Sequence, residues 1–329
     1  IWSPSYLVNI ENPKNARITL KATLTNEVGN LENSDVTFVV GYPNFLFSDI
    51  KSPMTLDESI EEFLRAVEAG GGRRESYGQA NITRQVHARG GFESAQLPPL
   101  DYGYASAKGT PGQFEEDLFF YRKDDVNLNE EERAYYQLFS DLVPYSHIYE
   151  WEIPDVTDKK QSYNPNEKEE EVPVVWHSIK LKNSTDYPWT TAPAFTVKGI
   201  DPLAQDVIKY TPKGSEAILR LTLATDVKAY GSEKETNRQK RMRRFNSYDW
   251  DLVTIKGKLK VKNFKSEKIT ISIKKYITGE VLEASYNATI EKTVEDLTYN
   301  NIKSVLSWEL PVDPKNELNI SYTYQVFVR

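Results

Sequence analysis

Lys256, Lys258, Lys260 and Lys262 occupy every second position of one short stretch. On an extended strand that spacing turns all four ammonium groups to one face. Just upstream, Arg238, Lys240, Arg241, Arg243 and Arg244 crowd a polar segment that reads as a loop, with Phe245, Tyr248, Trp250 and Phe264 nearby. Between 238 and 275 stand 13 Lys or Arg against three acids, Asp249, Asp251 and Glu267, a net of +10 inside a chain of formal charge −7. A basic stripe with interleaved aromatic rings suits a polyanion: an acidic glycan, an envelope polyanion or lipid phosphates. Nucleic acid would also fit such a stripe, but the acidic balance of the whole chain argues against it. The competing reading is a solvated sheet face whose lysines guard an edge strand against aggregation. In that case acids on neighbouring strands would pair with them.

Other chemistry is weaker. With no cysteine, thiol catalysis, Cys-ligated zinc, iron–sulfur clusters and disulfides are excluded. The three histidines, His87, His147 and His177, show no ligand spacing to one another, although a fold could gather them. No metal or other cofactor is expected. Ser48-Asp49-Ile50-Lys51 matches S-x-x-K but lacks the K-T-G partner of that catalytic set. Gly70-Gly71-Gly72 is followed by Arg73 and trails a helical pattern, whereas a phosphate-binding loop precedes its helix. A glycosidase needs two carboxylates roughly 5–10 Å apart. With 48 acids, some pair meets that distance in any fold, so a carbohydrate-active enzyme stays as the alternative to a non-catalytic module.

The elements that must position these groups are strands. Ile18, Leu20, Ala22 and Leu24 alternate with polar residues, as do Ile320, Tyr322, Tyr324, Val326 and Val328. Similar signals fall at 6–10, 36–40, 117–121, 133–139, 147–153, 174–182, 194–198, 217–224, 254–262, 268–275 and 304–310. Ile18, Leu20, Leu24, Leu259, Val261, Ile271, Ile273, Trp308 and Tyr322 take the apolar phase and are the expected core. One amphipathic helix is expected at 56–69, opened by the capping box Thr55/Glu58, with Ile60, Phe63, Leu64 and Val67 on one face. Residues 70–113 hold nine of the 16 glycines and read as a long loop. Residues 150–171 carry eight acids against three lysines and read as a linker or exposed loop. The 329 residues therefore divide into an N-terminal β-domain over 1–160 and a C-terminal β-sandwich over 172–329, with the boundary in 155–172. A strand running into Asn echoes at Leu7-Val8-Asn9, Lys180-Leu181-Lys182-Asn183 and Lys260-Val261-Lys262-Asn263. The last two read as equivalent first hairpins of two sandwiches. No run approaches the ~18–20 apolar residues of a membrane helix.

Tyr6-Leu7-Val8, the strand 18–24, Val39-Val40-Gly41-Tyr42-Pro43-Asn44-Phe45 and Ser52-Pro53 resemble the opening of a bacterial domain of unknown function. That domain forms the C-terminal half of mucoidy-inhibitor-A-like proteins. The resemblance continues through His147-Ile148-Tyr149-Glu150-Trp151, Tyr210-Thr211-Pro212-Lys213-Gly214, Gly257 to Asn263 and Ser307-Trp308-Glu309-Leu310-Pro311. It implies an all-β protein of two or more antiparallel immunoglobulin-like sandwich units. It also implies an export signal and a coiled-coil domain upstream of Ile1, and so a periplasmic or cell-surface location. It carries over no catalytic residue. The expected function is a non-catalytic binding or scaffold module of a cell-envelope or exported protein, with the nine cations from Arg238 to Lys262 as its polyanion site.

Overall fold

The computed structural model describes residues 1–27, 29–40, 112–115, 118–155, 173–245, 247–294 and 301–329. The expected helix at 56–69, nearly all of the glycine-rich loop, and most of the acidic segment with the expected domain boundary lie outside these residues. Every regular element described is a strand. In chain order these are β1 (Trp2–Asn9), β2 (Asn15–Thr25), β3 (Leu31–Val40), β4 (Gly112–Glu115), β5 (Leu118–Leu128), β6 (Arg133–Ile153), β7 (Trp176–Lys182) and β8 (Ala192–Lys198). They continue with β9 (Asp201–Ile208), β10 (Glu216–Leu223), β11 (Val227–Phe245), β12 (Tyr248–Asn263), β13 (Ile269–Thr278), β14 (Glu280–Ala284), β15 (Thr289–Val294), β16 (Lys303–Val312) and β17 (Glu317–Val328). The two strands expected at 133–139 and 147–153 are one 21-residue strand, β6. Pro144 lies within it and does not interrupt it. The nine expected core residues are all buried.

The chain forms two compact units. The first comprises Ile1–Pro144, Lys182–Pro202 and Asp206–Ala217; the second comprises Tyr145–Leu181, Leu203–Gln205 and Ile218–Arg329. In the first, β1 pairs antiparallel with β2 and parallel with β8, and β2 pairs with the first half of β6. A separate sheet runs β3-β5-β4. Rings of the two sheets meet, with Trp2 on Phe38 at 5.4 Å and Tyr121 on Phe139 at 6.3 Å between centroids.

In the second unit, the end of β6 pairs parallel with β13 and antiparallel with β7, and β13 pairs with β16. A four-stranded sheet runs β11-β12-β17-β14. The two sheets enclose one core that includes Trp151, Ile271, Ile273 and Trp308 from one side and Leu259, Val261, Ile320 and Tyr322 from the other. Burying each such side chain contributes about 1.5–3 kcal/mol.

The echoed asparagines close one recurrent corner. Asn183 follows directly on β7 and is fully buried; its Nδ2 donates to Tyr187 O and Thr211 O, both at 3.0 Å. Asn263 ends β12, equally buried, and donates to Glu267 O at 2.9 Å and Val312 O at 3.2 Å. The third corner belongs to Asn26, after β2, which donates to Leu128 O and Asn129 O, both at 3.0 Å. Asn9 does not make this corner; its Oδ1 accepts from the Glu11 and Gly199 amides. In all three corners the Asn backbone N–H donates to the carbonyl of the residue that opens a distant turn's exit, Glu132, Ser215 or Asn316. The residue before each of these has positive φ: Glu131 (64°), Gly214 (82°) and Lys315 (57°). The strand that ends at the echoed Asn therefore forms no hairpin with the strand that follows it. The strand ending in Asn pairs with a strand far along the chain, β2 with β6, β7 with β10 and β12 with β17.

Candidate polyanion-binding face

The period-two sequence of β12 gives its sheet two unlike sides. Leu259 and Val261 point into the core, while Lys256, Lys258 and Lys260 are exposed and Lys262 is half-buried. Gly257 sits between the lysines because the Tyr322 ring lies flat against its backbone, in the space a Cβ would fill. On β11 the partners across from the lysines are Lys228 (to Lys262), Tyr230 (to Lys260), Ser232 (to Lys258) and Lys234 (to Lys256). On β17 they are Glu317, Asn319, Ser321 and Thr323. Directly paired residues share a face, so six lysines stand on this side. Lys228 and Lys234 were missed from sequence, although they alternate with Tyr230 and Ser232. Their strand, β11, has no apolar alternation beyond Ala229, because residues 230–242 are exposed on both phases.

Compensation on this face is partial. Lys260 Nζ pairs with Glu317 Oε1 at 2.9 Å. That hydrogen bond, with one from Asn319, holds the Glu317 carboxyl below its ordinary range. Lys262 Nζ lies 4.8 Å over the Phe264 ring. Lys256 and Lys258 have no ion-pair partner among the described residues. An open depression of about 500 Å³ lies between the strands, lined by Tyr230, Ser232, Lys258, Lys260, Asn319 and Ser321. It offers two ammonium groups, hydroxyls, an amide and an aromatic ring.

The arginine cluster corrects the expectation of a loop. Arg238 to Arg244 belong to β11, in a hairpin with β12 whose register shifts between Gln239 and Arg243. Arg241 sits in the irregular stretch with φ of 55°. Nor do all nine cations share one face. Arg243 pairs with Trp250 and so takes the lysine side, its guanidinium 5.5 Å from the Phe327 ring centre. Arg238 pairs with Val253, and Arg244 with Asp249, on the opposite phase. Arg238 is neutralised there by Glu235 at 2.8 Å and Asp251 at 3.2 Å. Asp251 accepts the Arg241 amide, which with Arg238 keeps its carboxyl below the usual range. Lys240 adds to the positive field at Asp251. The pleat and the bulge, rather than the charge count, decide this split.

Of the other candidates, the fold gathers two histidines: His147 Nδ1 and His177 Nε2 lie 3.0 Å apart. His87, Ser48–Lys51 and Gly70–Arg73 lie outside the described residues. Several carboxylates that could serve an enzyme are tied to cations. Glu150 and Glu152 flank Arg220 at 3.8 and 3.5 Å, Glu309 holds Lys180 at 2.8 Å, and Asp186 holds Lys213 at 2.7 Å. The Asp141 carboxyl is pushed upward, by burial first, against the opposing pull of Arg17. Compared with protein-family models, with curated proteins and with solved structures, the chain finds no match.

Proposed function

We propose that the chain is a non-catalytic binding module of a cell-envelope or exported protein, and that the outer face of β11, β12 and β17 holds a polyanion such as an acidic glycan. One observation carries this reading: Lys228 faces Lys262 and Lys234 faces Lys256 directly across the ladder. Like charges opposite each other destabilise a sheet. A chain with 48 acids could place one at either position, so a bound anion is the better account of six clustered lysines. An immunoglobulin-like organisation of the sandwich units, and kinship with the C-terminal half of mucoidy-inhibitor-A-like proteins, belong to the same reading. Two enclosing sheets and the recurrent Asn corner support the first. The quoted motifs support the second.

The test is retention on immobilised dextran sulfate, a polyanion whose sulfates stay charged. The chain should bind at low salt and elute as rising salt shortens screening from roughly 10 Å at 0.1 M to about 3 Å at 1 M. Lys256→Glu with Lys258→Glu should abolish retention with an unchanged circular dichroism spectrum. Equal retention of wild type and variant, or none at low salt, overturns the proposal.

A further inference from the structure

His147 and His177 are 30 residues apart in sequence, yet the register of β6 and β7 makes them neighbours. His177 stands directly opposite Tyr149, and His147 opposite Ile179. The two imidazoles are thus diagonal on one face, within reach of each other. Their rings lie 5.0 Å apart between centroids, inclined at 36°. His177 is clamped: its ring stacks on Tyr149 at 4.7 Å and 6°. His147 is exposed, with the Tyr145 ring edge-on at 5.5 Å. We propose that His147 and His177 form a two-imidazole chelate for a divalent transition-metal ion of the copper or nickel class.

Proximity and ligand type support this assignment. The 3.0 Å contact is a hydrogen bond between the two imidazoles, which already holds their nitrogens about as close as two ligands of one ion. Imidazole nitrogens bind such ions at about 2.0–2.1 Å. Turning the exposed His147 ring breaks that hydrogen bond and lets both lone pairs converge, while His177 stays on Tyr149. With imidazole and water as ligands, the Irving–Williams order places Cu²⁺ above Ni²⁺ and Zn²⁺. Among the described residues no group of three or more His, Asp or Glu gathers to hold an ion, so water fills the remaining positions.

Titration of the full chain with NiCl2 and with CuCl2 at pH 7 tests the proposal, read by calorimetry and by the imidazole signals in NMR. One equivalent should bind, with Cu²⁺ tighter than Ni²⁺ or Zn²⁺, and the signals of both histidines should move. His147→Ala should weaken binding at least tenfold, as should His177→Gln. Because His147 is exposed, its variant decides the matter should His177→Gln fail to fold. Binding unchanged within threefold in His147→Ala overturns the chelate, as does metal that shifts only the His87 signal. Lys256→Glu should leave metal binding unchanged, which separates this site from the polyanion face.

Discussion

Lys275 is a charged residue on the apolar phase of β13 and only 2% exposed. Its Nζ lies 3.3 Å from Glu233 Oε1 and donates to Pro154 O at 3.1 Å. Tyr322 and Tyr324 donate to the same carboxylate at 2.7 and 3.2 Å. Burial first, and then that carboxylate, raise both phenols above the ordinary tyrosine range. Removing one partner of a buried pair leaves the other uncompensated. Lys275→Ala should therefore cost about 3–5 kcal/mol in urea unfolding. Lys275→Met combined with Glu233→Gln should cost less than the two single changes together, since neither charge is then left alone. A cycle showing simple additivity would mean that the pair is not coupled. Gly257 poses a steric version of the same problem. Gly257→Ala drives a methyl group into the Tyr322 ring and should displace its hydroxyl from Glu233, lowering stability and altering near-ultraviolet circular dichroism.

The Asn corner is the unit that recurs at the scale of elements. Each strand end is tied to a partner strand that arrives from far along the chain, with 49 residues separating Asn263 from Val312. Asn263→Ala leaves the Val312 and Glu267 carbonyls without their amide donor. The expected cost is about 1–3 kcal/mol for each unsatisfied group, measured by urea unfolding. Asn263→Asp should be worse than Ala, because it sets a carboxylate against those oxygens. A milder effect for Asp would show that the amide is not the donor that matters. The same scale explains the basic hairpin. β11 forms because its backbone pairs along β12, although no apolar stripe announces it. The bulge in it sends Arg238 to Glu235 and Asp251 and leaves Arg243 beside the lysines.

The whole molecule carries −7 while one sheet face gathers six lysines, so its response to pH follows from particular pairs. Glu317 is the acid that masks Lys260, and its folded pKa lies below the ordinary carboxyl range. The mask therefore persists as pH falls from 8 to 5 and is lost only when pH passes through that lowered value. Affinity for dextran sulfate should stay flat over the first interval and rise only once pH has fallen below the ordinary glutamate value of about 4.3. In Glu317→Gln the affinity should already be higher at pH 7. The sign for stability is the opposite: the contributions of Glu317, Glu235 and Asp251 are present above the ordinary carboxyl range and fade as pH falls through their lowered folded values.

Alternation of Ile18, Leu20 and Leu24, of Leu259 and Val261, and of Tyr322 with its neighbours was enough to read an all-β chain and its core. Period two is a local property, and the burial it foretells needs no knowledge of partners. It also placed four lysines on one face of β12. Lys228 and Lys234 stayed hidden, because register pairs residues through a ladder that no local pattern encodes. The same holds for Arg238, which looked like part of the stripe until the pleat turned it to Glu235 and Asp251. Residues 133–153 showed two apolar runs separated by polar residues and Pro144, and only pairing with different strands on each stretch joins them into one element. His147 and His177 meet for the same reason. Contacts between distant strands depend on register and on bulges, which the tertiary structure alone decides.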